Sequence, residues 1–385
     1  MGFLRSPRPP QSEDKPATDE VVFVSEDVEF RLVWNLDPGP LGLPRRLVRA
    51  CTRERVGALM EVDVLEPSAP RWVALRLEEE ERMGVLLEHP AIARVHGLFE
   101  FEDGAFLLKE HVEGCGLDTV LDLAALGQRR MSEAFCLHVV HQVAGALHCA
   151  NTTRDEEGRP LGLLHRSVSP GCIRVGLEGE VKLTEFAAAY SELPGRLRTP
   201  GGLIRGSLAY AAPERLESYD EEEVDERSDL FSLGVVLLEL LTGKNLYGLE
   251  SVERAANVSR PRLPPREDLR AEEASWASIT EMVALADAFR PKHVEEALGA
   301  VSAPVKELVH RLLRIHPTER YATAARVRAV VRGLLEASGN ADYGAPDVAR
   351  EVLAMRTEAE QSPHRTEAMP TERGILPGRV PLKPG

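Results

Sequence analysis

A chain of 385 residues carries 47 lysines and arginines against 62 aspartates and glutamates, a formal net charge of −15. Hydrophobic content of 43% and charged content of 28% are typical of a soluble globular protein and argue against general disorder. The acidic excess argues against nucleic acid as a partner, since phosphate binding needs dominant clusters of lysine and arginine. The longest apolar run, at residues 233–241, already contains Glu239, so the sequence predicts no membrane-spanning segment.

The five cysteines are odd in number and lack the CxxC spacing of metal sites. This pattern argues against a disulfide framework or a zinc site and suits a reducing compartment. The N-terminus also lacks the apolar stretch of a secretory signal. We therefore expect a cytoplasmic protein.

The chain divides into four parts. Residues 1–20 are polar and contain several prolines, so we expect a flexible N-terminal arm. Residues 21–116 contain short β-branched and apolar runs broken by proline and glycine, which predicts a small, mostly antiparallel sheet. Residues 117–338 show mainly helical spacing. Residues 339–385 combine one helix near 346–359 with a proline-rich tail that we expect to be disordered.

Two segments carry more specific expectations. The run VALR at residues 73–76 predicts a strand, with helical spacing beginning only at Glu78. Residues 230–241 are apolar on nearly every face, which predicts a helix surrounded by protein. Gly243 follows that helix at a position where a left-handed cap is favoured.

Eight motifs follow one another along the chain: VALR at 73–76, LLEHPAI at 86–92, LLKEHVEGCGL at 107–117, HRSVSPGC at 165–172, GEVKLTEFAA at 179–188, GSLAYAAPERL at 206–216, DERSDLFSLGVVLLELLTG at 225–243 and HPTERYATA at 316–324. Their order and spacing resemble the protein kinase superfamily, and in particular the bacterial eukaryotic-like Ser/Thr protein kinases. The resemblance implies an α+β, bilobal kinase-like fold. A small β-rich N-lobe and hinge would occupy residues 21–116, and a larger helical C-lobe residues 117–338.

The resemblance also implies a glycine-rich loop that covers the nucleotide phosphates. The corresponding stretch, WNLDPGPLGLPRR at residues 34–46, keeps Gly39 and Gly42 but contains three prolines that have no N–H to offer. Asp37 would repel phosphate. We therefore interpret the stretch as a structural turn between two strands.

The resemblance assigns four further positions to the nucleotide pocket. Arg76 stands for the strand lysine and Glu80 for the helix glutamate that pairs with it. Lys109 precedes the hinge residue Glu110, where the family usually has an apolar side chain. Two interpretations of Lys109 stay open. Its ammonium either points into the pocket and pairs with Glu80 or Glu185, or extends outward to solvent.

The catalytic positions of the resemblance are altered. Ser167 replaces the aspartate that accepts the substrate proton, and a neutral hydroxyl cannot act as that base. Ser169 is a tolerated variant, and Cys172 replaces a metal-binding asparagine with a thiol that suits magnesium poorly. Glu185 stands for the metal-binding aspartate with one extra methylene, so it is at most a weak metal ligand. These changes predict weak or absent binding of ATP and magnesium.

The scaffold positions of the resemblance are kept. His165 and Phe186 are candidates for an apolar spine, and Asp229 for the anchor of the catalytic-loop backbone. Glu214 and Arg320 would form a buried ion pair. Two residues of the activation segment, Thr199 and Ser207, are candidate phosphorylation sites, with Arg166 as a phosphate partner.

Altered chemical positions on a conserved scaffold favour a catalytically inactive pseudokinase that binds signalling proteins, among them an active kinase. Two alternatives remain at this stage. An atypical active Ser/Thr kinase could transfer phosphate from Mg-ATP through Glu185 and Arg76. A non-catalytic switch could bind ATP without turning it over.

Overall fold

The computed structural model describes residues 20–102, 104–196, 206–217, 224–257 and 279–362. Within these ranges a β-rich N-terminal lobe is followed by a helical lobe, which confirms the predicted α+β class. The expected flexible arm up to residue 19, the proline-rich tail beyond residue 362 and the candidate phosphorylation site Thr199 lie outside the described residues.

The described strands form two antiparallel sheets. The strands are β1 (Val21–Ser25), β2 (Val28–Leu36), β3 (Arg45–Cys51), β4 (Val56–Leu65), β5 (Val95–Phe101), β6 (Gly104–Glu110), β7 (Gly114–Gly116), β8 (Ile173–Gly176) and β9 (Val181–Leu183). The first six form one sheet in the order β1-β2-β3-β4-β6-β5, and the last three form a small sheet in the order β7-β8-β9. The large sheet is the N-terminal lobe, and the small one lies at the start of the helical lobe.

Alternating side chains give the large sheet two faces. One face carries an aromatic cluster in which the ring of Phe23 stacks on Phe30 at 4.3 Å and on Phe106 at 4.8 Å between centroids. Val48 and Val62 from the central strands complete this cluster and are fully buried. The opposite face of β3, β4 and β6 is turned toward the first helix.

The helices follow in chain order. They are α1 (Arg71–Gly84), α2 (Leu117–Leu126), α3 (Glu133–Thr152), α4 (Pro213–Glu217), α5 (Arg227–Thr242), α6 (Glu250–Ala256), α7 (Ile279–Ala288), α8 (Pro291–Leu298), α9 (Ala303–Leu312), α10 (Ala324–Ala337) and α11 (Ala345–Gln361). Among the described helices none is both long enough and apolar enough to cross a lipid bilayer.

Helix α5 is the centre of the helical lobe. Every residue from 228 to 241 is buried, as its all-round apolar sequence predicts. Gly243 ends the helix with φ 72°, and its N–H donates to the carbonyl oxygen of Glu239 at 2.7 Å. The left-handed cap therefore forms where the sequence places glycine.

The predicted strand at VALR is wrong, because residues 73–76 lie inside helix α1. The helix begins directly after Pro70 and buries Val73, Leu77 and Met83 on one side. Three consecutive apolar residues cannot distinguish a strand from a buried helical turn, and here the helical spacing continues on both sides of them. The strand that lies between β3 and β6 is β4.

Helix α11 packs onto the helical lobe. Its residues Val348, Met355 and Ala359 are completely buried within the main core cluster. At its surface Glu351 accepts hydrogen bonds from the backbone N–H and the hydroxyl of Ser132, both at 2.7 Å. The helix expected near residues 346–359 is thus an integral layer over α2 and α3.

Candidate functional site in the cleft between the lobes

The catalytic-loop segment is held by one carboxylate of α5. The backbone N–H groups of His165 and Arg166 donate to the two oxygens of Asp229, at 2.7 and 2.8 Å. The imidazole of His165 accepts from the N–H of Ser167 and lies 2.8 Å from the carbonyl oxygen of Thr184, so its proton is on Nε2. Its ring meets Phe186 edge-on at 4.7 Å. The structure thus brings these predicted scaffold residues together.

The three altered catalytic residues form a neutral cluster. The sulfur of Cys172 lies 3.5 Å from the hydroxyl of Ser169 and 3.7 Å from that of Ser167. Burial raises the pKa of Cys172 to about 11, so the thiol stays protonated. None of these three side chains carries a charge near neutral pH. They therefore provide neither an ordinary general base nor a hard metal ligand.

Glu185 is bound by an arginine from the other lobe. Its carboxylate oxygens lie 2.5 and 3.2 Å from the two terminal nitrogens of Arg45, which begins strand β3. The same guanidinium donates from Nε to Asp63 at 2.6 Å and approaches Glu61 to 3.8 Å. Burial favours the neutral acid, but Arg45 and Lys109 hold the pKa of Glu185 below its usual value.

Lys109 points into the cleft. Its ammonium lies 2.5 Å from Asp63 and 3.6 Å from Glu80, and the residue is 9% exposed. Burial and the nearby Arg45 lower the pKa of Lys109, but the attraction of Asp63 and Glu80 outweighs them and the net shift is upward. Of the two interpretations, the inward one describes the structure, with Asp63 as the nearer partner and Glu80 as the second.

Six charged side chains fill this part of the cleft, and we call them the cleft network. They are Arg45, Glu61, Asp63, Glu80, Lys109 and Glu185. Burial raises the pKa of Glu80, which favours its neutral form and brings the network closer to electrical balance. Asp63 has its pKa held well below the usual value, against the effect of burial, by Arg45 and Lys109.

Arg76 does not lie in the nucleotide pocket, which corrects its predicted role. It is on α1, where it contacts Glu79 at 2.5 Å and donates to the carbonyl oxygen of Ala187 at 2.5 Å. It ties the helix to the segment after Glu185. The strand side chain that faces the pocket is Asp63 on β4, so an acid stands where the resemblance implies a lysine.

The loop at residues 37–44 uses its backbone groups internally. The N–H of Gly39 donates to the carbonyl oxygen of Leu43 at 3.2 Å, and that of Gly42 donates to Gly39 at 2.8 Å. Leu43 is buried against Val73 and Leu77 of α1. A Cβ atom added to Gly39 would collide with the guanidinium of Arg45, so the loop lies directly over the cleft network.

Glu110 faces away from the cleft network, because alternate side chains of β6 point to opposite sides. Its carboxylate contacts Lys182 at 2.5 Å and accepts the backbone N–H of Arg94 at 3.0 Å. It lines a separate cleft of about 640 Å³ behind the hinge, together with His89 and His96. Its side chain is therefore not part of the nucleotide pocket.

The remaining predicted scaffold pair joins the lower part of the helical lobe. Arg320 donates to both carboxylate oxygens of Glu214, at 2.6 and 2.7 Å, and its side chain has no exposed surface. Ser207 lies just before a short 3₁₀ turn, and the guanidinium of Arg166 stacks on the ring of Tyr190 at 4.4 Å.

Sequence reasoning did not find Arg45, Glu61 or Asp63. The sequence around Asp63 could have indicated it, because Val62 and Val64 on either side predict a strand in which Asp63 faces the opposite side from the two valines. Arg45 had none, because its partner Glu185 lies 140 positions away in the chain.

The chain matches a family model described as the protein kinase domain over residues 48–330. It is 32% identical over 192 residues to tyrosine-protein kinase MasK of Myxococcus xanthus, covering 49% of this chain and 29% of that protein. It is 32% identical over 223 residues to serine/threonine-protein kinase PknA of Mycobacterium tuberculosis, with 55% and 48% covered. For serine/threonine-protein kinase PknK of Mycobacterium bovis the identity is 29% over 296 residues, with 76% and 23% covered.

The chain thus spans less than half the length of each of these three relatives. The family match covers both lobes, from within strand β3 to within helix α10, and it includes the catalytic-loop segment and every member of the cleft network except Arg45. The resemblance to bacterial eukaryotic-like kinases is confirmed, and the chain belongs to the protein kinase family.

Proposed function

We propose that this protein is a pseudokinase that acts by binding signalling proteins and does not transfer phosphate. The observation that carries the proposal is the cleft network, in which Arg45 binds Glu185 and Lys109 binds Asp63. Phosphates and a metal ion would have to displace these pairs. Separating these buried pairs costs free energy that nucleotide binding would have to supply.

The residues of the cleft do not fit Mg-ATP. The carboxylate of Glu185 is already bound by Arg45, and the loop over it uses the N–H groups of Gly39 and Gly42 internally. The strand position that would attract phosphate carries Asp63, which repels it. Phosphoryl transfer depends almost entirely on positioning and charge neutralisation, and both are compromised here.

A role in protein binding is supported by the scaffold that remains. The pair of Glu214 and Arg320 and the anchor at Asp229 stabilise the helical lobe without contributing to chemistry. Such a lobe presents a stable surface to other proteins, and signalling proteins, including an active kinase, are the proposed partners.

Two assays on the purified chain test the proposal. We expect no rise in melting temperature on adding ATP with or without Mg²⁺, since a ligand that binds only the folded state must raise its stability. We also expect no transfer of labelled phosphate to the chain itself or to generic substrates. Transfer that disappears in Glu185→Ala would instead establish an atypical active kinase. A rise in melting temperature without transfer would establish an ATP-binding switch.

A further inference from the structure

The ion pair of Arg45 and Glu185 joins the two lobes. Arg45 lies in the large sheet of the N-terminal lobe, and Glu185 follows β9 in the helical lobe, 140 positions later. The pair has two nitrogen–oxygen contacts, at 2.5 and 3.2 Å, and its side chains are 10% and 14% exposed. Because it is largely removed from water, it is screened much less than a surface pair.

The guanidinium of Arg45 lies between the carboxylates of Glu185 and Asp63, whose negative charge it neutralises. It contacts the carboxylates of Glu185 and Asp63 on two sides, and Glu61 lies 3.8 Å from it. Burial opposes the charge on Arg45, but these three acids raise its pKa, so it is permanently charged. The chain therefore provides its own positive charge to the carboxylates that meet between the lobes.

The loop at residues 37–44 closes over this ion pair. The backbone of Gly39 lies against the guanidinium, and Leu43 anchors the loop to α1. On the other side of the cleft, Arg76 of α1 donates to the carbonyl oxygen of Ala187, two residues after Glu185. Sheet, loop and first helix are thus all tied to the same short segment of the helical lobe.

We propose that Arg45 and Glu185 form a latch that holds the two lobes and the loop at 37–44 closed without nucleotide or metal. The inference rests on the proposed function, since a latch of this kind takes the place that Mg-ATP would occupy. It makes the closed arrangement a permanent property of the chain. Any partner surface that spans both lobes is therefore always formed.

Hydrogen–deuterium exchange on the full chain tests the latch. In Arg45→Met and in Glu185→Gln, we expect the hydrogen-bonded loop amides of Gly39 and Gly42 to exchange about tenfold faster or more, because their protection depends on the closed state that the pair holds. Arg46→Met is the matched control. Arg46 is the next residue on β3, but its side chain is 31% exposed and contacts Glu20 at 3.5 Å. In Arg46→Met we expect the loop amides to exchange at the same rate as in the unmodified chain.

The outcomes separate the latch from the proposed function. Unchanged loop exchange in both latch variants overturns the latch. If Arg45→Met does not fold, Glu185→Gln decides, since it keeps the shape of the side chain and removes only the charge. Adding Mg-ATP to the unmodified chain is a separate arm. Protection of residues 37–44 by Mg-ATP would overturn the proposed function, whereas the latch would still be judged by its variants.

Discussion

Replacing Lys109 with methionine removes a buried positive charge and keeps a flexible side chain of similar length. The ammonium lies 2.5 Å from Asp63 and 3.6 Å from Glu80, and the residue is 9% exposed. Without Lys109 the carboxylates of the cleft network share the single cation Arg45, and leaving buried charge undercompensated costs about 3–5 kcal/mol. We therefore expect Lys109→Met to lower the free energy of unfolding by about that amount.

Lys182→Met is the matched control for this experiment. Its ammonium also lies 2.5 Å from a carboxylate, that of Glu110, but the two side chains are 18% and 30% exposed. A hydrated pair of this kind contributes about 1 kcal/mol or less. Urea denaturation of both variants, with the slope m compared to that of the unmodified chain, gives the two losses directly. Equal losses would refute the reasoning that burial makes the Lys109 pair strong.

Three further outcomes are expected. Hydrogen bonding from His111 and the charge of Arg45 outweigh burial and lower the pKa of Glu61 from 4.5 to about 2. The stability that Glu61 contributes is therefore present above pH 4.5 and lost as the pH falls toward 2. In Glu61→Gln the free energy of unfolding should fall less steeply between pH 4.5 and 2 than in the unmodified chain, and an unchanged slope contradicts this. Met355→Ala in α11, at a fully buried position, should lower the free energy of unfolding by about 2–5 kcal/mol. Leu353→Ala, at a 63% exposed position, should change it by about 0.5 kcal/mol or less, and similar losses would show that α11 is not packed. Gly234→Ala places a Cβ atom 2.7 Å from that of Leu312 and should destabilise the protein by about 1–3 kcal/mol. Gly333→Ala meets no atom within 4 Å in helix α10 and should stabilise it slightly. Melting temperatures in the opposite order would refute the close packing of α5 on α9.

Much of the fold can be predicted from the sequence because its signals are local. The all-round apolar run of α5 and the glycine that caps it are adjacent in the chain, and the structure has both. Motifs such as HRSVSPGC need only a few neighbouring residues to be identified, so His165, Ser167 and Cys172 can be assigned without coordinates. Their order along the chain was enough to predict the family.

Where the prediction was wrong, the missing information was not local. The three apolar residues of VALR fit a strand as well as a turn of helix, and in the structure Val73 and Leu77 pack against Leu43 of the loop as one face of a helix. Because the strand was predicted at residues 73–76 instead of at β4, Arg76 was assigned to the pocket and Asp63 was not considered.

The cleft network depends on the folded arrangement for a similar reason. Arg45 and Glu185 are ordinary charged residues in the sequence. They form an ion pair because the fold brings together two residues 140 positions apart in the chain and buries both side chains. Composition and motifs determine that this chain is a kinase-family protein with substitutions at the catalytic positions of the family. Only the way in which the two lobes close on each other decides which charges are buried together, and therefore that the cleft holds the charged side chains of the cleft network. The physical reason is that the strength of an ion pair depends on distance and burial.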